Sequence, residues 1–126
     1  ASATSVLSSV GESLWVDTEA ELDIVTAVSG SGPAYFFLMM ESLINAGVAE
    51  GLSTEISTQL VLQTALGAAV MAKQSESDAG TLRKQVTSPG GTTQAAIEHF
   101  QSVKFEKAVG DAVNAARTRS VELSKN

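Results

Sequence analysis

The sequence predicts an all-α fold, a helical bundle preceded by a short helix and a short strand. From Glu19 onward, apolar residues recur at the spacing of helices that bury one or more faces. Serine, aspartate or proline stands where several of these helices would begin. The chain of 126 residues is long enough for one domain with a hydrophobic core, and its 44% hydrophobic content argues against disorder.

The segment before Glu19 is predicted to differ from the rest. Residues 1–10 are expected to form a short helix and Ser13–Asp17 a short strand. A single strand leaves backbone N–H and C=O groups without partners, and a helical domain has no use for it. We therefore expect residues 1–17 to be the tail of another domain and residues 18–126 to form the helical domain.

The helical part divides into six expected helices. Pro33 suits the first turn of one of them, and Ser53 suits the N-cap of the next. The expected helices are Glu19 to about Ser29, Pro33 to about Ala49, Ser53 to about Ser75, Asp78 to about Thr87, a helix after Thr93 that ends near Gln101, and Lys104–Ser124.

Two of these helices predict association between chains. The helix Pro33–Ala49 is apolar on several faces, which is typical of a buried helix, and one small domain cannot bury all of them. The helix Ser53–Ser75 carries many small residues, including Gly67, which allow another helix to approach closely. We therefore expect an obligate dimer.

Composition excludes several classes of function. The formal net charge of −6 disfavours a nucleic-acid partner, and the longest apolar run, Ala34–Met40, is far short of a membrane span. The absence of cysteine excludes a thiolate metal site and fits a reducing compartment, and no metal-ligand spacing occurs. We expect a cytoplasmic protein with no metal, no nucleic acid and no membrane partner.

The motif with the most chemical content is Ser88-Pro89-Gly90-Gly91-Thr92-Thr93, called here the Ser88–Thr93 loop. Pro89 fixes one backbone angle, the two glycines permit positive φ, and the threonines can cap the helix that follows. Such a loop brings N–H groups and hydroxyls to one helix start, which suits a carboxylate or phosphate. A plain capping turn is the simpler interpretation of the loop alone.

A second segment supports a functional interpretation of the loop. This segment, Val25–Phe36, contains Ser-Gly-Ser-Gly-Pro-Ala-Tyr and lies about 60 residues upstream. In this order and spacing, the two segments resemble the C-terminal domain of pyrroline-5-carboxylate reductase, over nearly the whole chain. That family reduces 1-pyrroline-5-carboxylate to L-proline with NADPH or NADH, in the last step of proline biosynthesis. The resemblance implies interleaved helices in a homodimer, or in a larger oligomer of dimers, and a cofactor bound by an N-terminal domain that this chain lacks.

The resemblance also implies roles for single residues. The Ser88–Thr93 loop would hold the substrate carboxylate through the N–H groups of Gly91, Thr92 and Thr93 and the Thr93 hydroxyl, with Val86 lining the ring pocket. The proton for the ring nitrogen has two candidate donors, the Thr93 hydroxyl and water. Glu76 matches a glutamate of the family that can reach this nitrogen. An equally supported interpretation is that Glu76 is a surface residue at the end of its helix. Substrate-binding candidates are thus Glu76, Val86, Ser88, Gly90, Gly91, Thr92 and Thr93.

Other features are interpreted without a role in binding. Gly30-Ser31-Gly32 imitates a dinucleotide-binding turn, but Tyr35 stands where the third glycine would fall, so this segment is not expected to bind NAD(P). His99, the single histidine, is expected to be a surface residue. Two alternatives remain. One is a dimerisation module with no ligand. The other is the helical domain of another NAD(P)-dependent reductase, which would need a catalytic lysine on the helix Pro33–Ala49, and this helix contains no lysine.

Overall fold

The computed structural model describes residues 5–9, 12–16 and 18–125, and the side chains of residues 18–125. The described residues form strands β1 (Ser5–Ser9) and β2 (Glu12–Val16) and helices α1 (Glu19–Val25), α2 (Gly32–Ala49), α3 (Thr54–Gln74), α4 (Ala79–Gln85), α5 (Thr92–Ser102) and α6 (Phe105–Ser124). A π-helical turn, Thr26–Gly30, follows α1. The all-α fold predicted for the main part of the chain is confirmed.

The short helix predicted over residues 1–10 is wrong where the structure describes it, because Ser5–Ser9 is strand β1. This strand pairs antiparallel with β2, with Ser5 opposite Val16 and Ser9 opposite Glu12. Serine and valine are weak helix formers, and the adjacent strand satisfies the backbone groups of β1. The strand predicted over Ser13–Asp17 is confirmed over Ser13–Val16, as part of β2, and Asp17 lies outside the described residues. The rest of the predicted helix, residues 1–4 and 10, lies outside the described residues.

Three helices begin at side chains that cap them. The Thr18 hydroxyl accepts from the Glu21 N–H at 3.0 Å, and the Ser53 hydroxyl accepts from the Ile56 N–H at 3.1 Å. Asp78 accepts from the Thr81 N–H at 2.8 Å, and this bond holds the pKa of the exposed Asp78 carboxyl below its usual value. The helix starts predicted at Ser53 and Asp78 are thereby confirmed.

One compact unit contains β1, β2, α1, the π-helical turn, the start of α2 and all of α6. Helix α6 packs against α1 and the π-helical turn, and the Ser120 hydroxyl donates to the Asp23 carboxylate at 2.7 Å. The Tyr35 hydroxyl donates to the carbonyl of Ala27, which is fully buried, at 2.6 Å. These contacts tie the first turn of α2 to the π-helical turn.

The other unit, Phe37–Val103, contains the rest of α2 with α3, α4 and α5. Its α2–α3 corner is held by the buried Ser57, whose hydroxyl donates to the carbonyl of Ile44 at 2.9 Å. Gly47 lies so close to this serine that an added Cβ would clash with the Ser57 hydroxyl and lie 3.3 Å from its Cβ. Glycine at position 47 therefore allows the two helices to meet.

Most large apolar side chains among residues 18–125 are exposed. Among residues 18–125, only Ala27, Gly32 and Ser57 are buried, whereas Phe36, Phe37 and Leu38 are 68%, 65% and 63% exposed. Apolar area of this extent normally lies in an interface. On α3, a Cβ on Gly67 would have no atom within 4 Å apart from its adjacent residues and the nearby backbone of its own helix. The α3 surface at Gly67 is therefore open in the single chain.

One apolar stretch, Glu19–Ala49, also meets the length and hydropathy criteria of a membrane span, with a mean hydropathy of 1.2 over its most apolar window. Interface and core helices of soluble proteins meet the same criteria.

Candidate functional site

The Ser88–Thr93 loop is a tight turn that leads directly into α5. Pro89 and Gly90 are its central residues, and the Gly91 N–H donates to the Ser88 carbonyl at 3.0 Å. Gly90 has φ +74°, which suits the third position of a type II turn after proline. The expected positive φ is confirmed at Gly90 and is wrong at Gly91, which has extended backbone with φ −91°.

Gly91 is needed for space rather than for backbone conformation. A Cβ at this position would lie 3.2 Å from the Ser88 carbonyl oxygen, tighter than most real Cβ contacts. Because the Gly91 N–H already donates to Ser88, it is not left for a ligand. This differs from the expected carboxylate site, in which the Gly91 N–H was one of the donors.

The first turn of α5 presents the remaining donors. Gly91 is the N-cap and has no side chain to cap with, so the expectation that the threonines cap this helix is wrong. Thr92 and Thr93 are instead its first two residues, and both are exposed. The first helical bond at this end runs from the Ala95 N–H to the Gly91 carbonyl at 3.3 Å. The N–H groups of Thr92 and Thr93 precede it, so the helix supplies them no acceptor.

Gln94 belongs to the loop, and sequence reasoning missed it. Its side-chain oxygen Oε1 accepts from the Gly90 N–H, across the N-cap of α5. A glutamine at the third helical position commonly reaches back toward the helix start, as in a capping box. The pattern Gly91-Thr92-Thr93-Gln94 was therefore the signal that could have identified it.

Basic side chains lie on the same unit, next to the loop. A groove of about 180 Å³ between α4 and α5 is lined by Arg83, Lys84, Thr87, Gln94, Ile97, Glu98 and Gln101. The Thr87 hydroxyl donates to the Arg83 carbonyl at 2.5 Å, which ties the end of α4 to the residue before the loop. The two cations favour an anion in this region, and Glu98 partly offsets them.

The remaining predicted site residues lie in different surroundings. Val86 follows α4 and is 58% exposed, so it is free to line a ligand pocket. Glu76 is exposed between α3 and α4, and no hydrogen bond or ion pair joins it to the loop within residues 18–125. Ser88 is exposed at the start of the turn. His99 is an exposed residue in the second half of α5.

The described residues offer no cluster of three or more side chains that could hold a metal ion. Gly30 is the last residue of the π-helical turn and Gly32 is the first residue of α2, so no strand leads into these glycines. A dinucleotide-binding turn needs a strand before its glycines, so this backbone does not fit the phosphates of NAD(P).

Fold and site together define a helical domain, preceded by a β-hairpin, with an exposed apolar surface and an anion-suited loop at one helix start. The family model of pyrroline-5-carboxylate reductase dimerisation matches residues 19–123. The chain belongs to the pyrroline-5-carboxylate reductase family, of which it carries the dimerisation domain. This membership contradicts the alternative of a domain from another NAD(P)-dependent reductase.

Curated relatives agree with this assignment. The pyrroline-5-carboxylate reductase of Pseudomonas aeruginosa is 58% identical over 120 residues, which cover 95% of this chain and 44% of the relative. That of Arabidopsis thaliana is 46% identical over 117 residues, covering 93% of this chain and 42% of the relative. The chain thus spans less than half the length of the curated relatives it matches.

Solved structures show the same fold. The pyrroline-5-carboxylate reductase of Coxiella burnetii is 44% identical with a TM-score of 0.83, covering 86% of this chain and 40% of that one. The pyrroline carboxylate reductase of Plasmodium falciparum, solved with NADP bound, is 45% identical with a TM-score of 0.79. That match covers 82% of this chain and 39% of the Plasmodium chain.

Proposed function

We propose that this chain is the part of a pyrroline-5-carboxylate reductase that dimerises and binds the substrate carboxylate. The complete enzyme reduces 1-pyrroline-5-carboxylate to L-proline with NADPH or NADH, the last step of proline biosynthesis. The observation that carries the proposal is the start of α5, where Thr92 and Thr93 offer two N–H groups and two hydroxyls beside a turn fixed by Ser88 and Gly90. A carboxylate at a helix start gains charge-assisted hydrogen bonds and the favourable end of the helix dipole.

The loop performs the positioning that an imine reduction requires. Bound NAD(P)H supplies the hydride when present. The residues of this chain hold the substrate: Thr92 and Thr93 bind the carboxylate through their N–H groups, and Val86 lines the ring. Fixing the carboxylate restricts the ring to one orientation, which lowers the entropic part of the barrier.

The ring nitrogen must gain a proton as the imine is reduced. The Thr93 hydroxyl and a water molecule are the two donors that the proposal allows. Glu76 is proposed to reach the same nitrogen from the segment between α3 and α4, where it is exposed. A carboxylate there would favour a protonated ring nitrogen through its charge.

The cofactor is proposed to bind outside this chain, in an N-terminal nucleotide-binding domain. Residues 1–17 are proposed as the tail of that domain and residues 18–126 as the helical domain. Gly30-Ser31-Gly32 does not form a dinucleotide-binding turn, because Gly30 ends the π-helical turn and Gly32 begins α2. We expect this chain alone to have no reductase activity.

Association is proposed to be a homodimer with interleaved helices, or a larger oligomer built from such dimers, in the cytoplasm. The exposed apolar side chains of α2 and the open space beside Gly67 of α3 supply the surface that a second copy would cover. The dimerisation family favours a protein partner over a membrane for the stretch Glu19–Ala49.

The substrate assignment is tested by Thr93→Ala in the complete reductase. Loss of the hydroxyl removes one donor and leaves the backbone donors, so kcat/KM for 1-pyrroline-5-carboxylate should fall about tenfold, the size of one charge-assisted hydrogen bond. The KM for NADPH should stay nearly unchanged. Steady-state kinetics with each substrate varied in turn measures both effects.

His99→Ala is the matched control, since His99 lies on the same helix and is exposed. It should keep the kcat/KM of the unsubstituted enzyme. If Thr93→Ala kept full kcat/KM while His99→Ala abolished it, the site assignment would be wrong. The loop would then be a helix-capping turn in a dimerisation module that binds no ligand.

A further inference from the structure

We propose that Gln94 is a positioning residue that holds the Ser88–Thr93 loop in its carboxylate-binding geometry without adding a negative charge to the loop. This inference rests on the proposed function of the loop. Its basis is the hydrogen bond in which the Gly90 N–H donates to Oε1 of Gln94. Neither the loop motif nor the resemblance pointed to this residue.

Two hydrogen bonds hold the turn. The Gly91 N–H donates to the Ser88 carbonyl at 3.0 Å. The Gly90 N–H donates to Gln94, which is half-buried. Gly90 has φ +74°, and glycine can adopt several other backbone conformations of similar energy. The Gln94 contact therefore selects one backbone conformation at the most permissive position of the loop.

The two bonds also decide which donors face a ligand. With the N–H groups of Gly90 and Gly91 both engaged, the groups that remain at the helix start are those of Thr92, Thr93 and Gln94, which all precede the first helical bond from Ala95. Loss of the hydrogen bond between the Gly90 N–H and Gln94 would let the turn change type and would move the start of α5 relative to Ser88. A displaced start of α5 would hold the substrate carboxylate less well, so the Gln94 contact contributes to substrate binding without touching substrate.

The chemical identity of residue 94 follows from the same geometry. The position needs an acceptor for the Gly90 N–H, which glutamine and glutamate both provide. A glutamate would place a negative charge at the loop that holds an anionic substrate. Glutamine supplies the oxygen and remains neutral, and it lines the groove in which Arg83 and Lys84 supply positive charge.

Two substitutions in the complete reductase separate geometry from charge. Gln94→Met preserves length and removes the acceptor, so deuterium exchange of the loop amides should rise and the KM for 1-pyrroline-5-carboxylate should increase about threefold to tenfold, with kcat within about twofold. Gln94→Glu restores the acceptor, so amide exchange should match that of the unsubstituted enzyme. Its KM should be raised at low ionic strength and should recover in high salt, because salt screens the repulsion.

Gln85→Met is the matched control, because Gln85 is exposed at the end of α4. It should change neither amide exchange nor KM. Unchanged loop exchange in Gln94→Met, or an unchanged substrate KM in that variant, would overturn the positioning role. Thr93→Ala, measured in the same series, tests the proposed function separately. An unchanged kcat/KM in Thr93→Ala would contradict substrate binding by the loop, whereas a tenfold loss would support it whatever the result for Gln94.

Discussion

Replacing Leu38 by glutamate is expected to abolish the folded oligomer. Leu38 is 63% exposed in the single chain and lies between Phe37 and Met39 on α2. In an oligomer that covers this face, the new carboxylate would be buried without a partner, which costs several kcal/mol. A monomer offers no alternative fold, because burial in residues 18–125 is limited to Ala27, Gly32 and Ser57.

Sedimentation equilibrium and far-UV circular dichroism of the 126-residue chain measure this effect. The unsubstituted chain should be a folded dimer or larger at micromolar concentration, and Leu38→Glu should lose helical signal or aggregate. Asn114→Glu adds the same charge on the polar face of α6, beside the exposed ion pair Lys107–Asp111, and should leave the oligomer intact. A stable, folded monomer of the unsubstituted chain would contradict the association proposed here.

The second large effect is expected from Gly90→Val in the complete reductase. At φ +74° a β-branched residue is strained by roughly 1–2 kcal/mol, although nothing beyond the two adjacent residues lies within 4 Å of its Cβ. The turn should therefore adopt another conformation, which displaces the N–H groups of Thr92 and Thr93. Because a displacement of about 1 Å can cost a hundredfold in rate, kcat/KM should fall by about that factor.

Gly90→Asn separates backbone strain from the presence of a side chain. Asparagine tolerates the left-handed conformation, so this variant should retain most of the activity that valine loses. Gly91→Ala should have an intermediate effect, since Gly91 has φ −91° and its Cβ would only crowd the Ser88 carbonyl oxygen. Equal activity of the valine and asparagine variants would show that the positive φ is not what the loop requires.

The sequence alone was sufficient to predict the long helices of this fold. Expected and observed ends of α2, α3 and α6 agree within about two residues, because side-chain periodicity, Pro33 and the Ser53 cap are local signals. The N-terminal helix was wrong because β1 is stabilised by pairing with β2, a partner that local propensity does not reveal. The π-helical turn was not predicted either, and it involves the contact from Tyr35 to Ala27.

The candidate site was predictable in place and less so in detail. Pro89 and the glycine pair marked the turn at Ser88–Gly91, which the structure contains. Which glycine takes positive φ depends on the turn type, and two adjacent glycines permit either choice. The roles of Gly91 as N-cap and of Gln94 as acceptor depend on where α5 begins, which sequence patterns fix only to within a few residues.

The most direct test of the central claim compares L-proline with L-prolinamide, which lacks the carboxylate, as inhibitors of the complete reductase and its Thr93→Ala variant. If the start of α5 holds the carboxylate, the substitution should weaken inhibition by L-proline about tenfold and inhibition by L-prolinamide less than about twofold. The difference isolates the interaction between the carboxylate and the Thr93 hydroxyl. Equal losses for both inhibitors, or no loss for L-proline, would contradict carboxylate binding by this loop.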